Sequence, residues 1–180
     1  GVGAEELVLR LERALTLGSV VSRAEDHLPP DMPPGMVGHS PAFLQQVNKL
    51  APVARCDANV LILGETGTGK EVFAQAVHYT SARAGKPFIA LNCGAIPNEL
   101  IESELFGHVR GAYTTAHSAR HGLVRDAEGG SLFLDDIDCL PLSGQAKLLR
   151  FLQEREYRPV GANAVLRANV RVVAASNRDL

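Results

Sequence analysis

Between Asn59 and Glu71 the chain reads N-V-L-I-L-G-E-T-G-T-G-K-E. Gly64, Gly69 and Lys70 satisfy G-x-x-x-x-G-K, a spacing whose chemistry is phosphate binding when a strand precedes it and a helix follows. Glycines at 64, 67 and 69 let the backbone double back with its N–H groups turned inward. Those donors and the positive end of the following helix cradle phosphate oxygens. Glu65, Thr66 and Thr68 complete the loop, and Lys70 adds a mobile positive charge for the outer phosphates. Glu71 stands where Ser or Thr commonly brings a hydroxyl to magnesium, so this stretch leaves the metal to be held from elsewhere.

Acids supply the complementary chemistry. Phe133 to Asp136 is an apolar run ending in two carboxylates. Downstream of a phosphate loop, Asp135 is placed to hold Mg2+, mostly through water, and Asp136 to orient or deprotonate an attacking water.

The elements around these residues follow from periodicity. Asn59–Leu63, Pro87–Cys93, Gly130–Ile137 and Asn169–Ser176 are short apolar runs that read as buried strands. Ser40-Pro41 is a helix start, a capping hydroxyl followed by proline at the first helical position, and the helix is expected to run through Phe43, Val47 and Leu50 towards Ala54. Further helices are expected from Lys70 to about Ala82, from Pro97 to Phe106 and from Ser143 through Leu152. A small hairpin is expected over Tyr157–Leu166, and Gly107–Gly122 reads as an exposed loop or insertion. Strands alternating with helices predict an α/β fold, a parallel sheet with helices on both faces.

Upstream, Leu7, Val8, Leu11 and Leu15 space an amphipathic helix within residues 1–26. It is the end of an upstream domain, half of a short dimer helix, or a helix packed on the main unit. Residues 27–36, with paired prolines, form a linker, and 37–180 form the main domain. With a formal net charge of -2 nothing suggests bulk electrostatic binding of nucleic acid, and no apolar run is long enough to span a bilayer, so the chain reads as cytoplasmic with no membrane partner. Three widely spaced cysteines match neither a zinc pattern nor a disulfide framework and are expected to be reduced and mostly buried. His108, His117 and His121 are expected in a solvated loop, and Arg150, Arg155 and Arg158 as surface or subunit-interface charges.

From about Val37 the chain resembles the central AAA+ ATPase domain of sigma-54-dependent transcriptional activators, the NtrC-like bacterial enhancer-binding proteins. The resemblance is carried by G-E-T-G-T-G-K-E at Gly64–Glu71, L-N-C at Leu91–Cys93, E-S-E-L-F-G-H at Glu102–His108, G-G-S-L-F-L-D-D-I at Gly129–Ile137, Q-A-K-L-L-R-F-L-Q-E at Gln145–Glu154 and A-A-S-N-R-D-L at Ala174–Leu180. It implies a P-loop NTPase that takes ATP and Mg2+ and assembles into a ring, typically a hexamer. The ring would hydrolyse ATP to remodel sigma-54 RNA polymerase holoenzyme, reaching promoter or enhancer DNA only through a further C-terminal domain. The family's arginine fingers and helical lid lie beyond the position matching Leu180. By position, the resemblance gives Val37 and Gly38 to adenine, Gly64–Glu71 to the phosphates and Asp135 and Asp136 to the second acidic motif. It gives Asn92 to a hydrogen bond with the catalytic acid, Ser176 and Asn177 to reading the terminal phosphate, and Gly111, Ala112, Tyr113, Thr114, Thr115 and Ala116 to sigma-factor contact. It also accounts for Glu71.

Two positions depart from the family pattern. Asp136 replaces a glutamate, which retracts the carboxylate by about 1.5 Å, one C–C bond. Thr115 replaces a glycine, bringing a branched side chain where positive φ or close approach is expected. They define an alternative expectation: a nucleotide-binding regulatory module with weak or no hydrolysis and an altered sigma-54 contact.

Overall fold

The most apolar stretches of the chain become the centre of a sheet. The computed structural model describes Met36 and residues 40–177. The expected upstream helix, the linker up to residue 35, and Val37 and Gly38 lie outside the described residues. Strands β1 (Val60–Leu63), β2 (Phe88–Asn92), β3 (Ser131–Asp135) and β6 (Arg171–Ser176) form one parallel sheet in the order β1-β6-β3-β2. Leu132, Phe133 and Leu134 of β3 and every residue of β6 are buried, the unbroken burial of strands covered on both faces.

Alternate side chains along the strands feed two cores. Leu132, Leu134, Val172 and Ala174 point to one face, where α4 (Asn98–Phe106) and α6 (Leu142–Glu154) bring Ile101, Leu105, Leu148 and Phe151. Phe133, Val173 and Ala175 point to the other, against Val47, Leu50, Ala74 and Val77 of α1 (Pro41–Asn48), α2 (Leu50–Arg55) and α3 (Lys70–Tyr79). Helices therefore cover both faces, as the alternating pattern predicts. A two-stranded antiparallel piece, β4 (Glu156–Tyr157) with β5 (Leu166–Arg167), forms the expected hairpin, and a short α5 (Leu123–Asp126) precedes β3.

Four local expectations are corrected. The Ser40 cap forms, with Phe43 N–H donating to Ser40 Oγ at 3.2 Å, but the helix breaks at Lys49. Pro52 has no N–H to return to the carbonyl four residues earlier, so the turn there cannot continue. The strand over 130–137 ends at Asp135, because Asp136 turns left-handed at φ 49° and starts a 3₁₀ turn over Ile137–Cys139. His108 is not solvated: it is buried and bridges by backbone to both Arg120 and Val160. Of the cysteines only Cys93 is buried, while Cys56 and Cys139 are exposed.

The N-terminal edge of the sheet is held by buried cations. Arg83 donates from Nε and Nη2 to the carboxylate of Asp57 at 2.7 and 2.8 Å. It also donates from Nη1 to the carbonyl of Gly130 at 3.0 Å and from Nη2 to Asn169 Oδ1 at 2.7 Å. Arg171, opening β6, donates to the carbonyls of Ala58 at 2.9 Å and Val53 at 2.7 Å. The buried His78 gives Nε2–H to the Lys86 carbonyl and lies 2.8 Å by Nδ1 from Ser131 Oγ, and burial pushes its pKa down. Among the described residues no helix is long and apolar enough to cross a membrane.

Arg83→Met strips partners from Gly130 O and Asn169 at once and should destabilise the chain by about 2 kcal/mol at pH 7. The hydrogen bond from Arg83 holds the Asp57 carboxyl below its ordinary 3.8, so the stabilisation tied to that pair is complete above that value. It is lost as pH falls through the lowered, folded-state value. Urea denaturation of both proteins at pH 7 and pH 3 should show the gap between them narrowing in acid.

Candidate functional site

At the opposite edge the strands end in two registered pairs. Leu63 of β1 pairs with Ser176 of β6, and Asn92 of β2 pairs with Asp135 of β3. Ligands of open parallel sheets sit outside this carboxyl edge. Each strand delivers one of the residues singled out from sequence, or leads directly into them.

After β1 the chain makes an exposed loop, Gly64–Gly69, and enters α3 at Lys70. Gly67 and Gly69 both sit at φ 82°, a region where a side chain is strained. Thr68 closes the loop, its N–H donating to Glu65 O at 3.3 Å and its hydroxyl to the same carbonyl at 2.7 Å. Lys70 is buried to within 9% of full coverage, and its Nζ donates to the carbonyls of Gly64 at 3.0 Å and Glu65 at 3.1 Å. Its charge is thus held at the loop's rim by weak neutral acceptors. Glu71 faces outward, accepting from Gln75 Nε2 at 3.3 Å.

The acids stand two strands away. Asp135 Oδ1 accepts from Asp136 N–H at 3.0 Å, a contact that turns the chain into the left-handed conformation Asp tolerates better than most residues. Asn92, ending β2, caps the 3₁₀ turn Cys93–Ala95 through Oδ1, which accepts from Ala95 N–H at 3.0 Å. Its amide Nδ2 then reaches Asp136 Oδ2 at 3.4 Å. Beneath them Cys93 is raised to about 12, by burial first and then by Cys139 and the carboxylates of Asp136, Asp135 and Asp138. It stays a protonated core thiol. Beyond β6, Asn177 Nδ2 lies 3.5 Å from Thr66 Oγ1, at the middle of the phosphate loop. Ser176 points elsewhere: it is fully buried and its hydroxyl donates to Asp138 Oδ1 at 3.0 Å.

No cluster of three or more His, Cys, Asp or Glu side chains able to cage a metal occurs among the described residues. Mg2+ does not need one, since it usually takes one or two carboxylates and completes its shell with water and substrate phosphates. Asp135, half-buried at the strand end, fits that partial role.

The segment 107–122 packs back on the fold. Gly111 N–H donates to Ala116 O and Ala116 N–H to Tyr113 O, each at 2.9 Å, closing a small turn with Ala116 buried and Thr114 and Thr115 exposed. Thr115 is not among the residues with positive φ, so its branched side chain is accommodated. The Tyr113 ring lies against His108, centroids 5.1 Å apart, and its hydroxyl is 3.4 Å from Ser103 Oγ. Ser103 Oγ is 2.7 Å from His108 Nδ1. Asp138 and Ser103 are the two residues here that sequence reasoning missed. The three acids within Asp135–Asp138 are a weak signal for the first; nothing local signals the second.

The family model described as Sigma-54 interaction domain matches residues 36–180. The chain belongs to that family. Its fold is accordingly the α/β fold of AAA+ P-loop NTPases. It is 55% identical over 145 residues to the transcriptional regulatory protein GlrR of Escherichia coli, covering 81% of this chain and 33% of that protein. It is 48% identical over 177 residues to the response regulator protein FleR of Pseudomonas aeruginosa, covering 98% and 37%. The crystal structure of NtrX from Brucella abortus in complex with ATP superposes with a TM-score of 0.73 at 32% identity, covering 98% of this chain and 37% of that one. The chain spans about a third of the length of the curated relatives it matches.

In this sigma-54 interaction domain the 111–116 turn rests on the loop before β5. Gly161 sits at φ 78°, and a Cβ added there would stand 2.9 Å from Ala112 Cβ and 3.1 Å from its Cα. Gly161→Ala therefore meets both a clash and a left-handed backbone, costing about 1–2 kcal/mol from the backbone alone. Limited proteolysis should cut the variant faster within 110–117 than the parent, with the sheet still folded by circular dichroism.

Proposed function

We propose that this chain is the ATP-binding and ATP-hydrolysing engine of a sigma-54-dependent transcriptional regulator. Working in a ring of copies, it would remodel RNA polymerase holoenzyme. The observation that carries the reading is the buried Lys70 at the mouth of a loop with two left-handed glycines, at the same sheet edge as Asp135, Asp136 and Asn177. The N–H groups of the loop beyond Gly64, from Glu65 to Lys70, hold the phosphates, and the Lys70 ammonium exchanges two carbonyls for phosphate oxygens, a charge-assisted and hence stronger pairing. Asp135 would hold Mg2+ mostly through water, and the ion would neutralise phosphate charge. Asp136 takes the proton of the attacking water, with Asn92 fixing the direction of its carboxylate. Asn177 reports on the outer phosphate through its place over Thr66, and Ser176 sets where Asn177 stands. Glu71 remains at the rim of the cradle, and adenine falls to Val37 and Gly38. Gly111–Ala116 is the surface offered to the sigma factor, with Thr114 and Thr115 outermost.

A second reading is favoured by one observation. The Asp136 carboxylate is one methylene shorter than glutamate and meets Asn92 at only 3.4 Å. A base held too far from its water binds nucleotide without turning it over well, and the chain would then act as a nucleotide-loaded regulatory module.

Calorimetry and turnover in the full-length regulator test both. Lys70→Ala should weaken ATP binding by on the order of a hundredfold, since it removes a nearly buried charge from the phosphates; unchanged affinity removes the phosphate-loop reading. Asp136→Asn should leave ATP affinity within about threefold and lower turnover on the order of a hundredfold or more, the usual contribution of a general base. A rise in turnover on Asp136→Glu from a nearly inactive parent would instead establish the second reading.

A further inference from the structure

β3 and β6 are neighbours in the sheet, but their ladder stops short of the site. Its last pair is Leu134 with Ala174. Past that point β6 continues alongside β1 alone, as far as Ser176 opposite Leu63. The strand ends that carry Asp135 and Asp136 on one side and Asn177 on the other are therefore not joined by backbone hydrogen bonds of the sheet. A side-chain bond crosses the gap: Ser176 Oγ donates to Asp138 Oδ1 at 3.0 Å, between residues 38 apart in sequence.

Ser176 is connected further. Its carbonyl accepts the N–H of Gly64, the first residue of the phosphate loop, at 3.2 Å. The residue after it, Asn177, lies over Thr66. Asp138 belongs to the 3₁₀ turn whose N-cap is Asp136, so it moves with the acids. A charged acceptor makes this a stronger bond than a neutral pair, and the Ser176 side chain is closed to water.

We propose that Asp138 is a positioning residue for the reaction. Through Ser176 it locks the acid-bearing turn to the strand that holds Gly64 and Asn177, setting the distance from Asp136 to the phosphates. The inference deepens the ATPase reading and rests on it. Its mark is a loss in the rate of turnover with little loss in binding, because the loop that binds phosphate stays formed while its spacing from the base relaxes. A relaxation of about 1 Å is enough to matter on this scale.

The experiment compares the full-length regulator with Asp138→Ala, Asp138→Asn, Ser176→Ala and the Asp138→Ala/Ser176→Ala double variant. Asp138→Ala should lower kcat about tenfold or more and shift KM for ATP by less than about threefold, the pattern of an interaction felt in the transition state. Asp138→Asn keeps an acceptor oxygen and should recover most of that loss. Ser176→Ala should match Asp138→Ala, and the double variant should be no worse than either, because both break the same bond. Hydrogen exchange of the nucleotide-free protein supplies the second readout: the Gly64 amide should lose protection in Asp138→Ala and keep it in Asp138→Asn. Unchanged exchange at Gly64, additive single variants, or an effect on KM alone overturns the proposal. A parent that neither binds nor turns over ATP overturns the ATPase reading, and with it the proposal. That outcome is distinguished from failure of the clamp because it appears without any substitution.

Discussion

The Gly64 N–H to Ser176 carbonyl bond is the join on which the site depends. A phosphate loop is a run of backbone donors with little side-chain packing of its own, so its aim is set by where its first residue is pinned. Here β1 ends against β6, and the last carbonyl of β6 catches the first amide of the loop. The other end is fixed by Lys70, which starts a helix whose Ala74 and Val77 are buried under the sheet. Between these two anchors the loop is exposed and hydrogen-bonded mainly to itself, an arrangement that lets phosphate oxygens replace internal partners at low cost.

The two edges of the sheet divide the work. At the N-terminal edge, Arg83, Arg171 and His78 are buried and turn their donors onto carbonyls and one carboxylate, tying strand starts to the preceding helices. Burying such groups is favourable only with partners in place, and the cost of losing one is borne by stability. At the C-terminal edge Asn92, Asp135, Asp136 and Asn177 are half-buried or exposed, and two contacts there are long: 3.4 Å from Asn92 to Asp136 and 3.5 Å from Asn177 to Thr66. Contacts of that length hold direction loosely and can tighten around a ligand. Rigidity at one edge is what permits adjustable geometry at the other.

The insertion between α4 and α5 follows a similar division. Its base is built like a core, with His108, Ser103 and Ala116 buried and backbone bridges to residues 120 and 160. Its tip, Thr114 and Thr115, is exposed. The hydroxyl that distinguishes Tyr113 from phenylalanine does not face solvent alone but approaches Ser103, so the ring is drawn toward the base of the loop. A surface offered from such a base keeps its shape until something competes for those few polar contacts.

Much of this is legible in the amino-acid sequence. The phosphate loop is written within a dozen contiguous residues, because positive φ requires glycine and the charge must follow at a set distance. The strands declare themselves by apolar runs, and the acids by their place at the end of one. Tertiary structure decided what those residues do to one another. Asp136 leaves the strand for a left-handed turn, Ser176 turns from the phosphates to Asp138, His108 is buried rather than solvated, and Arg83 gathers groups from three separate segments. Each of these pairings joins positions whose nearness depends on strand order and register. Local spacing carries no record of that, since the same strands in another order would leave every local motif intact and bring different side chains together.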